Sequence, residues 1–596
     1  MKRKHSASTS VLVHDLGEHR LSTPASFTSA QRSERAAEAT VCVGGLLIGL
    51  AFAAYLYGWG ILDVRNVAWL LDVSDTTIHF LGWDFFRHDH WRWPPGINPT
   101  LGYVTGNSIV FSDSLPLLAL VFKAFRAVLP DPFQYQGLIL YGDFMLNGCF
   151  AALLAYRLSR QIGASMIIAC LVVTGTIVTN RGFGAHGHDT LTAHWLILAA
   201  FLLVWTRQTD DFKRTRPAWV LLIALSTLIH FYLLVMVLAI WMLELISLGM
   251  AEPRAWAKLI RHGMVVAVSL FAVAYLAGYF SGVSTASANG FGFFSANVLT
   301  FFDPHSGAWF FQNSNGVTSF SKFMPALPER GVGQYEGQAY MGVGLLMMIG
   351  LGTCCWLMAK PLNTRLSKPF RFSRGAHTLA IAALLLALLA FSNVIDVGDR
   401  EILNLPLAPQ LAALLGVIRS SGRFIWVLYY LLMFSAFLGI VRTFSATVTF
   451  ACLFFVLVVQ MVDLAPWHGY LHNASRHLPD APEVTRDADV NRFMSHAERM
   501  VFLPVKSIPD GFAIFSFIAA RHGMTVNTTY TARRSDALLE RANRDETNRL
   551  LSGAATPDEV YVVTQSSGLP ETACKQKTMT CLQVGAQTVL MRAHVE

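Results

Sequence analysis

Of the 596 residues, 53% are apolar and only 14% are charged, with a mean hydropathy of +0.44, whereas soluble globular chains average about 25% charged. The solvent is therefore largely lipid, and a soluble enzyme is excluded. A formal charge of +8 does not mark a nucleic-acid binder, because Lys and Arg concentrate in short segments between apolar runs, the positive-inside pattern of a membrane protein.

Residues 1–40 are polar, rich in Ser and Ala, and carry Lys2, Arg3 and Lys4 without a cleavable apolar core. This predicts a disordered cytoplasmic tail before an uncleaved anchor. Apolar runs of about 17–22 residues then recur, enough to cross about 30 Å of hydrocarbon as helix, where only internally bonded backbone is tolerated. After Val41–Tyr57 comes a polar loop and then Ser108–Val128, which is apolar yet contains Asp113, Ser114, Pro116, Lys123 and Arg126. We read it as interfacial or re-entrant rather than spanning.

The next spans are expected at Leu138–Tyr156, Ala164–Val178, Thr190–Trp205, Trp219–Ile229, Tyr232–Leu248 and Met264–Tyr279. Tyr340–Met358, His377–Phe391, Gly422–Val441 and Thr447–Val462 complete about eleven. Trp219–Leu248 is short for two spans and calls for tilted packing. With the N-terminus in the cytoplasm, the basic groups Arg157/Arg160, Arg207/Lys213/Arg214/Arg216, Arg254/Lys258/Arg261 and Lys360/Arg365/Lys368/Arg371/Arg374 all fall inside. The long loops 58–135, 280–339 and 392–421 fall outside.

Residues 464–596 change character. Short β-like runs at Met500–Pro504, Val560–Thr564 and Thr588–Met591 flank a helical Asp536–Leu551. The expected fold class is an α-helical polytopic membrane protein (residues 41–463) with a small extracytoplasmic α/β domain. Six of the eight cysteines lie in or beside apolar runs and carry no metal signal. Cys574 and Cys581 sit in a polar stretch, and a disulfide between them requires an oxidising compartment.

Four clusters carry candidate chemistry. The first loop holds Asp75, Trp83, Asp84 and Arg87 among further histidines and tryptophans, and an acid in the apolar stretch begun by Val67 is costly enough to imply a role. Arg181-Gly-Phe-Gly-Ala-His186-Gly-His188-Asp189 leads to His194, and the spacing of His188 and His194 is not that of a helical metal pair, so no metal is assigned. The loop ending Gly331-Val-Gly-Gln-Tyr335-Glu336-Gly mixes aromatic faces with polar groups, as carbohydrate binding demands. In Arg419-Ser-Ser-Gly-Arg423 the arginines are four apart; on a helix they share a face and could clamp a phosphate.

Several runs resemble the GT-C superfamily of polytopic glycosyltransferases. Leu81-Gly-Trp-Asp-Phe-Phe-Arg87, Asp113-Ser-Leu-Pro-Leu, His194-Trp-Leu-Ile-Leu, Tyr335-Glu-Gly and Ser421-Gly-Arg-Phe-Ile-Trp are similar to bacterial proteins related to the type IV pilin arabinofuranosyltransferase, over residues 40–470. The resemblance implies a multi-pass protein of the bacterial inner membrane with its active site facing the periplasm. It implies an inverting transfer of a sugar, arabinofuranose being the relative's, from a polyprenyl-phosphate donor to a glycan or pilin-like protein acceptor. Asp75 is then the base and Asp84 its competitor. Arg419 and Arg423 are the donor-phosphate cations, and His188, His194, Tyr335, Glu336, Arg87 and Trp83 contact sugar or acceptor. Many relatives have paired acids, whereas Thr76 follows Asp75, which leaves a divalent cation open and no other cofactor implied. The competing expectation is a lipid-linked sugar transporter or flippase, against which the chain shows no repeated half and no matched broken helices.

Overall fold

The computed structural model describes residues 29–71, 74–182, 187–205, 212–281, 290–304, 319–328, 330–358, 373–530 and 535–592. Arg207, Lys360, Arg365, Lys368, Arg371 and His186 lie outside the described residues, as do the side chains of Lys213 and Arg214.

Helices stand at each of the eleven expected places. Seven are long and apolar enough to cross a membrane: Gln31–Tyr57, Gln136–Ser159, Phe231–Ala251, Pro253–Ala277, Arg374–Phe391, Ser421–Thr443 and Ala446–Asp463. Ile162–Val173, Asp189–Trp205, Thr215–Ile229 and Val343–Met358 are shorter. The chain is thus a membrane-embedded helical protein. Residues 29–40, expected in the disordered tail, instead begin the first helix, Ser29–Tyr57. Glu34 and Glu38 on that segment pair with Arg160 and Arg157 at the end of the Gln136–Ser159 helix, which gives the polar turns a partner.

These two helices meet through glycine. A Cβ at Gly45 would lie 2.4 Å from the Gly148 carbonyl oxygen, and one at Gly49 only 2.1 Å from that of Phe144. The Gly45-x-x-x-Gly49 spacing therefore serves close backbone approach, a common packing device in lipid.

Ser108–Val128 does not span. Its one helix, Pro116–Ala124, has nine residues, about 14 Å of rise. Asp113 and Leu115 before it take left-handed backbone, with φ of 48° and 46°. The Thr215–Ile229 and Phe231–Ala251 helices are divided by His230, whose extended backbone (φ −160°, ψ 135°) reverses the chain. That break is how two helices fit into so short a stretch.

The three long loops gather at one end of the bundle. Asn297 donates to Gln334 and to the Gly398 carbonyl (3.0 and 2.8 Å), and Gln334 donates to Asp396 (2.7 Å). Asp396 belongs to a hairpin of β1 (Val394–Val397) and β2 (Arg400–Asn404). Asp463, fully buried, accepts from Tyr340 Oη and the Val343 N–H at 2.9 Å each, fixing the entry to the Val343–Met358 helix.

The C-terminal sheet contains β3 (Arg499–Leu503), β4 (Thr525–Val526), β5 (Glu559–Thr564), β6 (Met579–Val584) and β7 (Gln587–Arg592), in the order β4-β3-β5-β7-β6. β3 runs parallel to β4 and β5; β7 is antiparallel to β5 and β6. The helix Asp536–Leu551 is as the sequence predicts, and Cys574 and Cys581 form a disulfide. The expected boundary at 464 shifts: the Ala465–Arg476 helix packs on the bundle, with Trp467 donating to Thr179 Oγ1 (3.0 Å) and Ser475 to the Leu56 carbonyl (2.6 Å). The first long loop in turn joins the sheet edge, Val526 N–H reaching the Thr100 carbonyl and Gly102 N–H that of Val526, both at 2.8 Å.

Candidate functional site

Beneath this cap lies a cavity of about 460 Å³, within the range of ligand sites. One wall is polar and carries Asp75, His79, Asp113, His188, Glu336 and Arg423. The lining also includes the apolar Ile229, Phe231, Leu234, Ala274 and Phe280, from the bundle helices and the turns beside them. Tyr530 of the C-terminal region and Tyr335 complete the lining.

The polar wall is assembled by glycines. Gly82, on the Asp75–His88 helix, has the Ser112 and Ser114 hydroxyls 2.3 Å from where a Cβ would stand, so the turn bearing Asp113 lies directly on the helix bearing Asp75 and His79. Gly422 and Gly337 do the same on the other side: a Gly422 Cβ would meet the Gly337 Cα at 2.7 Å. Backbone contact there brings Glu336, on the Val332–Gly337 turn, against Arg423, on the Ser421–Phe424 turn.

Arg423 holds Glu336 bidentately, Nε to Oε2 at 2.9 Å and Nη2 to Oε1 at 2.7 Å. Arg181 Nη2 lies 3.0 Å from Oε2, and Ser420 Oγ donates to Oε1 at 3.3 Å. Burial alone would raise the Glu336 carboxyl, but the Arg423 and Arg181 guanidiniums hold it down at about 2. Two guanidiniums against one carboxylate leave this buried group net positive. Arg419 adds a further cation, its guanidinium 4.5 Å from the Phe294 ring.

On the facing side, His79 Nδ1 hydrogen-bonds Asp189 Oδ1. His188 Nδ1 contacts Thr190 Oγ1 at 3.1 Å, with Nε2 3.6 Å from Asp113 Oδ2. His230 Nδ1 accepts the Tyr232 N–H at 3.1 Å, and its Nε2 stands 3.9 Å from Asp113 Oδ1. Burial pushes the Asp75 carboxyl above the usual carboxylate range and Asp113 to about 6, although the Asp113 side chain is 41% exposed to the cavity. Burial also drives the His188 imidazole well below its ordinary value, and it stays neutral. A carboxylate whose affinity for a proton is raised by burial is a better base than an ordinary aspartate, and it shares the cavity with fixed positive charge.

The structure thus brings Asp75, His188, Tyr335, Glu336, Arg419 and Arg423 into one cavity, and leaves four expected residues outside its lining. Asp84 is fully buried on the far side of its helix, near His88 and Asp131. Trp83 is packed in the core with its indole donating to the Phe133 carbonyl (2.8 Å), and Arg87 donates to the Pro130 carbonyl (3.0 Å). His194 is enclosed by Tyr430 and Trp426, its Nδ1 2.9 Å from the Tyr430 hydroxyl. The two arginines do not share a helix face, because Ser421–Phe424 is a 3₁₀ turn and Arg423 spends its fork on Glu336. Sequence reasoning missed His79, Asp113, His230 and Arg181 as site residues. The signal for His79 was its position four after Asp75; that for His230 was a polar residue exactly between two apolar runs.

Fold and cavity define a membrane-embedded helical protein with a capped polar site at one end of its bundle. The chain belongs to the family described as Domain of unknown function (DUF6311), whose model matches residues 46–465. The DUF6311 C-terminal domain matches residues 489–592, so the Ala465–Arg476 helix falls almost wholly between the two. No curated protein matches the chain.

Proposed function

We propose that this protein is a GT-C-type inverting glycosyltransferase with about eleven spans, moving a sugar from a polyprenyl-phosphate donor to a periplasmic glycan or protein acceptor. The observation that carries the reading is the mixed lining of the cavity: apolar residues from the bundle helices and the turns beside them suit a lipid chain, and Arg419 with the net-positive Arg423–Arg181–Glu336 group suits its phosphate. The basic groups Arg157, Arg160 and Arg442 border a second hollow, and by the positive-inside rule this supports a cytoplasmic end there and a periplasmic cavity.

In this mechanism Asp75 takes the proton from the acceptor hydroxyl as oxygen attacks the anomeric carbon from the face opposite the phosphate. The C–O bond to phosphate breaks, and the leaving phosphate needs no general acid, because it departs as a stabilised anion. Arg419 and the Arg423–Arg181–Glu336 group supply fixed positive potential for that growing charge. Tyr335 and Tyr530 offer aromatic faces for the sugar.

The test is sugar release from a panel of synthetic polyprenyl-phosphate sugars, arabinofuranose included, by the purified full chain. Release with one donor that disappears in Asp75→Asn supports transfer. Unchanged release in that variant removes Asp75 as base. Translocation of the lipid-linked sugar without release replaces the enzyme by a transporter.

A further inference from the structure

We infer that His79, His188 and Asp113 form a binding site for a single divalent transition-metal ion of the zinc class, with an open position facing the cavity. One ligand atom from each of the three lies within 4.8 Å of the others. They come from three separate segments: the Asp75–His88 helix, the turn at Asp113 held against Gly82, and the segment that leads into Asp189.

The spacing is the first argument. His188 Nε2 and Asp113 Oδ2 are 3.6 Å apart, too far for a hydrogen bond. Two donors bound at about 2.0–2.1 Å to one tetrahedral zinc stand about 3.4 Å apart.

Orientation of the rings is the second. Metal-bound histidine typically gives its other ring N–H to a carboxylate or another acceptor, which fixes the tautomer. Here Asp189 accepts from His79 Nδ1, leaving Nε2 as the available ligand atom. The Thr190 hydroxyl can accept from His188 Nδ1 and leaves its Nε2 toward Asp113. His230 behaves oppositely. Its Nδ1 accepts a backbone N–H, so the neutral ring keeps its proton on Nε2 and cannot ligate; it faces Asp113 Oδ1 instead. The geometry therefore selects two imidazoles and one carboxylate, the number of protein ligands that catalytic zinc keeps, with the fourth place for water or an oxygen of a bound anion.

The assignment rests on these residues alone and stands whether or not the chain transfers sugar. To test it, the full-length, tag-free protein in detergent is stripped with chelator and titrated with Co²⁺, whose visible band reports low-symmetry coordination, and then with Zn²⁺ in competition. One equivalent of Co²⁺ with a visible band, displaced by Zn²⁺, is expected. His188→Ala and His79→Ala should each weaken binding at least about 100-fold, and Asp189→Asn, which replaces the orienting carboxylate by a neutral amide, about 10–100-fold. His230→Gln should keep the band. A folded wild-type protein that shows no band and retains no Zn²⁺ overturns the site, and that reading needs no variant to fold. A band that survives in folded His188→Ala overturns it as well. Sugar release is read separately, so failure of either inference leaves the other distinguishable.

Discussion

Asp75 and His79 are four residues apart on the Asp75–His88 helix, and so are Asp84 and His88, yet the first pair borders the cavity and the second lies outside its lining, Asp84 buried and His88 exposed beside Asp131. Asp84 follows Asp75 by nine positions. At 3.6 residues per turn that is about two and a half turns, so the pairs project from opposite sides of the helix. Local crowding of acids and histidines is thus a poor guide to a site, whereas the angle between them is a good one. The two pairs also differ in what surrounds them. Asp75 lines the cavity together with Arg419 and Arg423, while both carboxylate oxygens of Asp84 lack a hydrogen-bond partner among the described residues.

The comparison breaks most readily on rate. Asp75→Asn should lower sugar release by about 10²–10⁴-fold, the usual range for a general base, with Asp84→Asn unchanged in the same assay; equal losses would dissolve the distinction. Next in size is Glu336→Gln. It strips a buried acid from between Arg423 and Arg181, and breaking such a pair costs about 3–5 kcal/mol. A large fall in melting temperature together with weaker donor binding is expected, and a variant as stable as the parent would show the cluster to be solvated.

Asp84→Asn sharpens the contrast through pH. Burial raises the Asp84 carboxyl to about 6 from 3.8. A group whose folded value exceeds its unfolded one binds its proton more tightly when folded, so stability falls as pH rises across that interval. The parent should therefore lose on the order of 1–3 kcal/mol between pH 4 and pH 7 through this residue, and the amide should not. Melting curves of the two chains that stay parallel across those pH values would refute it. The smallest effect on rate is expected from Cys581→Ser: opening the short disulfide loop to Cys574 costs about 2 kcal/mol by loop entropy, read as a lower melting point with sugar release within about twofold of the parent. A large loss of release would tie that edge of the sheet to the cavity.

Much of the architecture was legible in the sequence. Each expected span overlaps helix, and Met500–Pro504, Val560–Thr564 and Thr588–Met591 fall on β3, β5 and β7, because apolar run length and alternation are local properties. Ser108–Val128 was ambiguous for the opposite reason. Its breaks come from left-handed backbone at Asp113 and Leu115, which tertiary packing against Gly82 imposes. Such strained positions gather at functional sites, and Asp113 is one. In the site, Arg423 and Glu336 were each visible, but their mutual pairing was not, since it depends on glycine-to-glycine contact between segments far apart in the chain. His194 misled because a histidine next to tryptophan reads the same whether it faces a cavity or the core.

The union of the first long loop with β4 has a consequence for how the protein comes into being. Thr100 and Gly102 bond to Val526, and Phe80 meets Phe517 on the Phe512–Arg521 helix. The segment presenting Asp75 and His79 leaves the ribosome more than 400 residues before its covering partner. During synthesis the nascent bundle holds a half-walled, acid-bearing crevice until residues 512–530 arrive. A chain interrupted before residue 500 lacks β4, Tyr530 and the Phe512–Arg521 helix, so synthesis of that stretch decides when the cavity closes.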